Sequence, residues 1–166
     1  MTVANIFEPE WEHEQDREGY RWRGVRIGRK IGGERIGASV YELDAGERTF
    51  PYHFHHGNEE WALVLEGTLT LRTPDGTREL QKGDVAVFRR GPDGAHALGN
   101  RSQEVCRVAV FSSMRDPDVV EYPDTGVVGA IAGDAPTAGR DAPFEAFFRL
   151  DSRLGDYAEV SGHQKD

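Results

Sequence analysis

The stretch from His53 to Trp61 reads HFHHGNEEW and places three histidines and two glutamates within nine residues. A single histidine in a strand is usually exposed or hydrogen-bonded in a core, whereas several imidazoles followed by carboxylates are typical of a metal site. In an extended chain, His53 and His55 project from one face, and Phe54 and His56 project from the other. The stretch therefore predicts one strand that presents a pair of ligands.

The glutamates that follow supply a third candidate ligand. Gly57 and Asn58 let the chain turn, and the next strand begins at EWALVLEG. Alternation along this strand turns Glu60 inward, across the turn from the histidines, and turns Glu59 away from them. We therefore favour Glu60 as the ligand and interpret Glu59 as a solvated rim residue or a partner of a ligand. A fourth candidate is His96, on a later strand.

The chain has 166 residues, of which 37% are hydrophobic and 30% charged, as expected for one globular domain. Its formal net charge of −9 argues against nucleic acid as a partner, because that affinity depends on clustered Lys and Arg. The single cysteine, Cys106, lies in an apolar segment and is interpreted as a small core side chain. With no signal-peptide pattern and no run long enough for a membrane span, we expect a cytoplasmic protein without membrane contact.

The pattern of the middle region is all-β. Short runs of β-branched and aromatic residues, separated by Gly, Pro, Asp and Asn, extend from about Tyr20 to Phe111. The Gly32-Gly33 pair predicts a two-residue hairpin turn, and TPDGT at 73–77 predicts a second hairpin. Short antiparallel strands at this spacing indicate a barrel or a sandwich.

Both ends of the chain differ from this region. Residues 1–19 are acidic and poor in strand signals, and we expect Phe7 and Trp11 to pack this N-terminal arm onto the sheet. Residues 126–143 are rich in Gly, Ala and Pro, which predicts a flexible loop or lid. The segment FEAFFRL, at 144–150, predicts a late strand.

At these residues the chain resembles the cupins, a family of small jelly-roll barrels, or double-stranded β-helices, that carry a metal site of three histidines and one glutamate. The first cupin motif is matched by Gly46, His53, His55, Glu60 and Gly67. Four residues separate His55 from Glu60, and six separate Glu60 from Gly67. Gly46 lies one residue early relative to the family pattern, which affects a turn and not a ligand.

The second cupin motif is matched by Gly83, Pro92, Gly94, His96 and Asn100, with three residues between His96 and Asn100. Gly83 stands two residues further from His96 than is usual in the family, and Pro92 and Gly94 stand closer. These departures also affect turns and leave the ligand in place.

The resemblance covers about residues 38–113, with the two motifs at 46–100. It implies three parts of the chain, namely an N-terminal arm at 1–19, the cupin barrel at 20–113 and a C-terminal extension at 114–166. The tail DVVEYPDTG, at 118–126, looks like that of a group of bacterial single-domain cupins.

The resemblance also implies that His53, His55, Glu60 and His96 hold one divalent transition metal ion. Three imidazoles and one carboxylate suit Fe, Mn, Ni, Zn or Cu and leave coordination positions open for water or a substrate. Two function classes remain open: a small metalloenzyme of oxygenase or isomerase/lyase type that acts on a small metabolite, and a non-catalytic module that binds or senses one. No other cofactor is implied, and no catalytic residue is identified.

Four further residues are candidates for substrate binding. Arg89 and Arg90 precede the His96 loop and could anchor an anion, and the hydroxyls of Tyr52 and Tyr122 could reach the cavity.

Outside the expected ligand set, His56 is interpreted as a surface histidine, as are His13 and His163 in the terminal segments. Because cupins commonly pair through their sheets, the apolar face of Trp61, Leu63 and Leu65 is compatible with a homodimer. The same face is equally compatible with cover from the N-terminal arm.

Overall fold

The structure is a computed structural model that describes residues 2–133 and 144–152. Within these residues it contains thirteen strands, one short helix and two 3₁₀ turns. The elements are β1 His13–Arg17, β2 Tyr20–Val25, α1 Ile27–Lys30, β3 Gly37–Leu43, β4 Phe54–His55, β5 Glu60–Glu66, β6 Thr68–Thr73, β7 Gly76–Gln81, β8 Val85–Phe88, a 3₁₀ turn Pro92–Gly94, β9 Ala97–Gly99, β10 Cys106–Ser112, β11 Asp118–Tyr122, β12 Val127–Ala132, β13 Phe144–Arg149 and a 3₁₀ turn Leu150–Ser152.

The strands form three antiparallel sheets. Their strand orders are β1-β2-β3-β10-β5-β8, β13-β12-β11-β4 and β7-β6-β9. Strands that are distant in the sequence pair with one another, since β10 lies between β3 and β5. The all-β jelly-roll barrel that the sequence predicted is therefore the fold of this chain.

The main core lies between the six-stranded and three-stranded sheets. It is built from buried side chains of both, namely Leu43, Ala62, Val64, Leu69, Leu71, Phe88, Leu98, Cys106 and Val108. Cys106 is fully buried, as its apolar surroundings predicted, and burial followed by the charge of Glu66 raises the pKa of its thiol to about 12. The predicted TPDGT hairpin is also confirmed, with Gly76 at a φ of 122°.

The predicted two-residue hairpin at Gly32-Gly33 is wrong. β2 and β3 do pair antiparallel, but the chain between them includes α1 before it turns at Gly32, where φ is 83°. The reason is packing, because Ile27 is buried in a second apolar cluster beneath the outer face of the six-stranded sheet. Gly28 lets the helix approach β3, since a Cβ there would lie 2.7 Å from the backbone nitrogen of Ala38.

The N-terminal arm is more regular than its composition indicated, because β1 pairs with β2 along five residues. Trp11 packs against the second apolar cluster and lies beneath the guanidinium groups of Arg23 and Arg107. Phe7, in contrast, is 56% exposed, so only one of the two predicted aromatic anchors holds the arm.

For the outer apolar face of β5, the sequence left open a homodimer interface or cover from the N-terminal arm, and the arm covers only part of this face. Leu65 is buried and Leu63 half-buried in the cluster that the N-terminal arm contacts. Trp61 stays 48% exposed beside Val85 and Val87 of the edge strand β8, which are exposed as well.

The predicted loop at 126–143 is wrong for its first part. Residues 127–132 form β12, which pairs with β11 on one side and β13 on the other. Gly129 permits this pairing, because a Cβ there would lie 2.8 Å from the ring of Phe147. The late strand expected at 144–150 is confirmed as β13, whereas residues 134–143 lie outside the described part of the chain. Within the described residues, none of the helices has the length and apolar character needed to cross a membrane.

Candidate metal centre

His53 and His96 face each other across an isolated antiparallel bridge at one end of the barrel. The backbone nitrogen of His53 donates to the carbonyl of His96 at 3.0 Å, and the reverse bond measures 2.8 Å. Both side chains are buried, and the Phe88 ring stacks on His96 with 3.7 Å between centroids. Two residues that are distant in the sequence are thus fixed side by side by backbone pairing.

The Nδ1 atom of each of these histidines is committed to a backbone carbonyl. His53 Nδ1 lies 2.7 Å from the oxygen of Pro51, and His96 Nδ1 lies 3.0 Å from the oxygen of Gly94. Because a carbonyl only accepts, Nδ1 carries the proton in both rings, and Nε2 keeps the lone pair with which an imidazole binds a metal.

Glu60, the first residue of β5, extends its carboxylate between the rings. Its Oε2 lies 3.3 Å from Nε2 of His55 and 3.4 Å from Nε2 of His96. The candidate ligand atoms of His53, Glu60 and His96 all lie within 4.8 Å of one another, so this cluster could hold an ion. Glu59 is exposed and accepts a hydrogen bond from the Trp61 indole at 3.0 Å, so the geometry favours Glu60 over Glu59.

His55 is outside that group of three, but its imidazole is held between two carboxylates. Its Nδ1 lies 2.5 Å from Asp118 Oδ2, while its Nε2 faces Glu60. The structure thus brings together all four residues that the sequence predicted as ligands, and it adds Asp118 behind one of them.

The electrostatics of the cluster differ between the histidines. Burial, followed by the charges of His96 and His55, lowers the pKa of His53 to about 3, so His53 is neutral at pH 7. Burial also lowers the pKa of His55, but the hydrogen bonds to Asp118 and Glu60 outweigh it and raise the value to about 10. Burial raises the pKa of Glu60, but its interactions with His55 and His96 lower it by more, so Glu60 is ionised. The two carboxylates thus favour positive charge between them.

A cavity of about 1130 Å³ opens beside this cluster. One side, which we call the motif wall, consists of His53, His55, Glu60 and His96. The adjoining side, the C-terminal wall, comes from β11, β12 and β13, which share a sheet with β4, and consists of Asp118, Val120, Tyr122, Ile131, Glu145 and Phe147. This volume lies just above the range of about 300 to 1,000 Å³ that is typical of small-molecule binding sites, so the cavity is large enough for a metabolite.

The other predicted substrate-binding residues are divided between the cavity and the surface. Tyr122 lines the cavity, and its ring centroid lies 5.9 Å from that of His53. Arg89 and Arg90 are exposed and are not part of the lining, because the chain passes from β8 into the 3₁₀ turn on the outside of the barrel. Tyr52 is also outside the lining, since its ring packs beneath the guanidinium of Arg72 at 3.9 Å.

Three histidines were interpreted as lying outside the site, and the two that the structure describes do lie outside it. His56 is exposed and its Nε2 lies 3.3 Å from Glu121 Oε2, on the face of the strand opposite to His55. His13 lies on β1, away from the cavity, and His163 lies outside the described residues.

Sequence reasoning missed several residues of the site. Asp118 begins β11, 63 positions after His55, so no local spacing connects the two. Among the described residues, the arginines that line the cavity are Arg26, Arg29 and Arg115 rather than the predicted pair. The only sequence signal for Asp118 was the likeness of the DVVEYPDTG tail to other single-domain cupins, which marked the segment without indicating a role, and the three arginines had no such signal.

Comparison with known proteins supports a family assignment. Residues 39–112 match the family model described as the cupin domain. An L-ectoine synthase from Nocardia farcinica is 32% identical over 116 residues, which span 68% of this chain and 77% of the relative.

Among solved structures, a sugar phosphate isomerase of the cupin superfamily from Silicibacter pomeroyi superposes with a TM-score of 0.74 at 21% identity, covering 95% of this chain and 98% of the other. A polyketide cyclase from Streptomyces resistomycificus gives a TM-score of 0.57 at 23% identity, over 69% of this chain and 80% of the other. At these identities the likeness is one of fold. The match to the cupin-domain model and the sequence relative together show that the chain belongs to the cupin superfamily.

Proposed function

We propose that this cupin is a small metalloenzyme that acts on a small-molecule metabolite, with one divalent transition metal ion held by His53, His55, Glu60 and His96. The observation that carries the proposal is the orientation of the imidazoles. Each Nδ1 is bonded to an acceptor, the remaining nitrogens converge with a carboxylate, and the cluster forms one wall of a cavity of about 1130 Å³.

The chemistry of these donors fits such an ion. Neutral imidazoles and a carboxylate are the donor set preferred by Fe, Mn, Ni, Zn and Cu. The positive charge that Glu60 and Asp118 favour between them can be carried by a cation as well as by a protonated His55. Bound there, the ion would supply Lewis acidity toward an oxygen-bearing group of a substrate.

The residues around the cluster would hold the ligands in place and shape the cavity for a substrate. The main chains of His53 and His96 are hydrogen-bonded to each other, and each Nδ1 is hydrogen-bonded to a backbone carbonyl, which keeps the Nε2 atoms in place. The Phe88 ring stacks on His96, and the Phe147 ring lines the cavity on the C-terminal wall, so both add apolar surface near the site. Tyr122 offers a hydroxyl on the C-terminal wall, and burial raises the pKa of this phenol, so it remains a hydrogen-bond donor at neutral pH.

The relatives support an enzyme over a passive binder. An L-ectoine synthase, a sugar phosphate isomerase and a polyketide cyclase are named for different reactions, so they support small-molecule chemistry without selecting one reaction. We favour isomerase or lyase chemistry and oxygenase chemistry equally. The alternative is a module that binds or senses a small molecule in the same cavity without converting it.

Metal analysis followed by a turnover screen tests the proposal. The purified full-length protein is stripped with a chelator, titrated with Fe²⁺, Mn²⁺, Ni²⁺, Zn²⁺ and Cu²⁺, and assayed with a metabolite library under air and under nitrogen. We expect one ion per chain and metal-dependent product formation, with oxygen uptake only if the chemistry is that of an oxygenase. Ligand binding without product would support the sensing module, and a protein that binds none of the five ions would refute the metal site.

The homodimer predicted from the sequence stays a prediction. The exposed patch of Trp61, Val85 and Val87 supports it, because apolar side chains beside an edge strand favour association.

A further inference from the structure

The three histidines of the motif wall are oriented by different parts of the chain. His53 and His96 each bond to the carbonyl of the residue two positions earlier, so their orientation is set locally. His55 instead bonds to the side chain of Asp118, which lies 63 positions later, on the first residue of β11. One ligand of the proposed site therefore depends on the C-terminal sheet.

Both carboxylate oxygens of Asp118 are committed to the turn that carries His55. Oδ2 lies 2.5 Å from His55 Nδ1, and Oδ1 accepts from the backbone nitrogen of Gly57 at 3.0 Å. The residue is buried, with 9% of its surface exposed. A buried carboxylate with two such bonds is held in one orientation, since rotating it would leave two N–H groups without an acceptor.

Backbone pairing brings Asp118 to this position. β11 pairs with β4, with Val120 opposite His55, and the nitrogen of His56 donates to the carbonyl of Val119 at 2.8 Å. The sequence also leaves space for the carboxylate, because a Cβ on Gly57 would lie 2.8 Å from Asp118 Oδ1. Strand register and a glycine together set the contact.

We propose that Asp118 is a positioning residue of the metal site, which acts by accepting the Nδ1 proton of His55 and directing Nε2 toward the ion. The inference rests on the proposed metal site. It follows from the general behaviour of such pairs, in which a carboxylate behind a ligand histidine fixes the ring and increases the basicity of the coordinating nitrogen. The C-terminal extension then belongs to the metal site as well as to the cavity wall.

The test measures Zn²⁺ and Co²⁺ affinity of the full-length, chelator-stripped protein by competition with a chromophoric chelator. An asparagine has only one acceptor oxygen, so D118N leaves either His55 or Gly57 facing an amide N–H. We expect D118N to bind both ions about 10- to 100-fold more weakly. The matched control is D116N, since the Asp116 carboxylate also lines the cavity but accepts from Gly133 N, and it should stay within about twofold of the wild type.

A double-mutant cycle separates positioning from general stability. If Asp118 acts through the imidazole, D118N should have little further effect in an H55A background, where three candidate ligands remain. G57A provides a second route should D118N fold poorly, because the added methyl group displaces the carboxylate without removing its charge. It should also weaken binding.

The outcomes separate the two proposals. Weakening by D118N or G57A that vanishes without His55 supports the inference. Equal weakening by D118N with and without His55, or no weakening in a folded D118N, overturns the inference while leaving the metal site intact. A wild-type protein that binds neither Zn²⁺ nor Co²⁺ overturns both.

Discussion

The two walls of the cavity differ in how their residues are distributed along the chain. On the motif wall, three of the four residues lie within eight positions, from His53 to Glu60, and His96 joins them through a single bridge. On the C-terminal wall, the lining side chains come from three strands between Asp118 and Phe147. The first wall concentrates groups that can bind an ion, and the second supplies shape, a phenol and the carboxylate behind His55.

This difference has a physical basis. Ligand atoms must lie a few ångströms apart, and strand alternation across a short turn achieves this with nearby residues. The shape of the C-terminal wall tolerates many side chains, so its residues need no fixed spacing in the sequence. We therefore expect substitutions on the motif wall to change metal binding and those on the C-terminal wall to change mainly what else the cavity accepts.

The largest expected effect is the loss of metal binding when an imidazole of the motif wall is removed. His53→Ala and His96→Ala each delete one proposed ligand and its backbone bond, and we expect a loss of affinity for Zn²⁺ of at least about 100-fold. Competition with a chromophoric chelator measures it. His56→Ala is the matched control, because this exposed imidazole lies on the opposite face of the same strand. A metal site lost in His56→Ala but kept in His53→Ala would reverse the assignment of faces.

The second prediction concerns the closed core that lies behind the motif wall. Burial raises the pKa of Cys106 to about 12, so at pH 8 its thiol should react with a disulfide reagent at least about 100-fold more slowly in the native protein than in guanidinium. The folded pKa lies above the unfolded value of 9.0, so the contribution to stability is present below pH 9 and lost between pH 9 and about 12.

The melting temperature of Cys106→Ala should therefore fall less steeply above pH 9 than that of the wild type. Part of the alkaline decline should remain, because both proteins contain the same tyrosines. Native-state labelling at the unfolded rate would show that the core between the sheets is open to solvent.

The same contrast explains how much of the molecule the sequence could predict. The ligand set was accessible because residue type, alternation and a family motif agreed on His53, His55, Glu60 and His96. Arg89 and Arg90 were proposed to anchor an anion at the barrel mouth because they lie near His96 in sequence, and in the structure they are exposed and outside the cavity lining. Sequence proximity to a ligand does not place a side chain in its cavity.

The C-terminal sheet was harder to predict because its strands depend on one another. Residues 127–132 are rich in Gly and Ala, a composition typical of loops, yet they form β12 because β11 and β13 supply backbone partners on both sides. Asp118 carries no local signal for the same reason, since its role depends on a register between β11 and β4. Long-range pairing decides both cases.

A smaller effect is expected from the aromatic side chain of the C-terminal wall. Phe147→Ala removes a ring from the cavity lining, and we expect several-fold weaker binding of metabolites that raise the melting temperature of the Zn²⁺-loaded protein, because apolar contact area is lost. Affinity for Zn²⁺ should change by less than about twofold, since no candidate ligand is touched. Phe148→Ala is the matched control, because it is equally exposed but lies on the other face of β13. A metal affinity that falls with Phe147→Ala would contradict the division between the walls.

The smallest expected effect concerns an exposed ion pair between the three-stranded sheet and the C-terminal sheet. Arg72 of β6 donates to both carboxylate oxygens of Asp124, at 2.6 and 2.8 Å. Asp124 lies in the turn between β11 and β12. About half of each side chain is exposed, so Asp124→Asn should lower the free energy of unfolding by only about 0.5 to 1 kcal/mol at low salt.

Denaturant unfolding at low salt and in 1 M salt measures this contribution, which should shrink as salt screens the pair. Glu79→Gln, which removes a charge from the exposed face of β7, gives the baseline for a change in net charge alone. If Asp124→Asn costs no more than Glu79→Gln, the C-terminal sheet is held by β4 and the cavity side chains, and Asp118 becomes the main link between the walls. If it costs several kcal/mol at both salt concentrations, this ion pair holds the sheet in place, and the metal affinity of Asp124→Asn should then fall together with its stability.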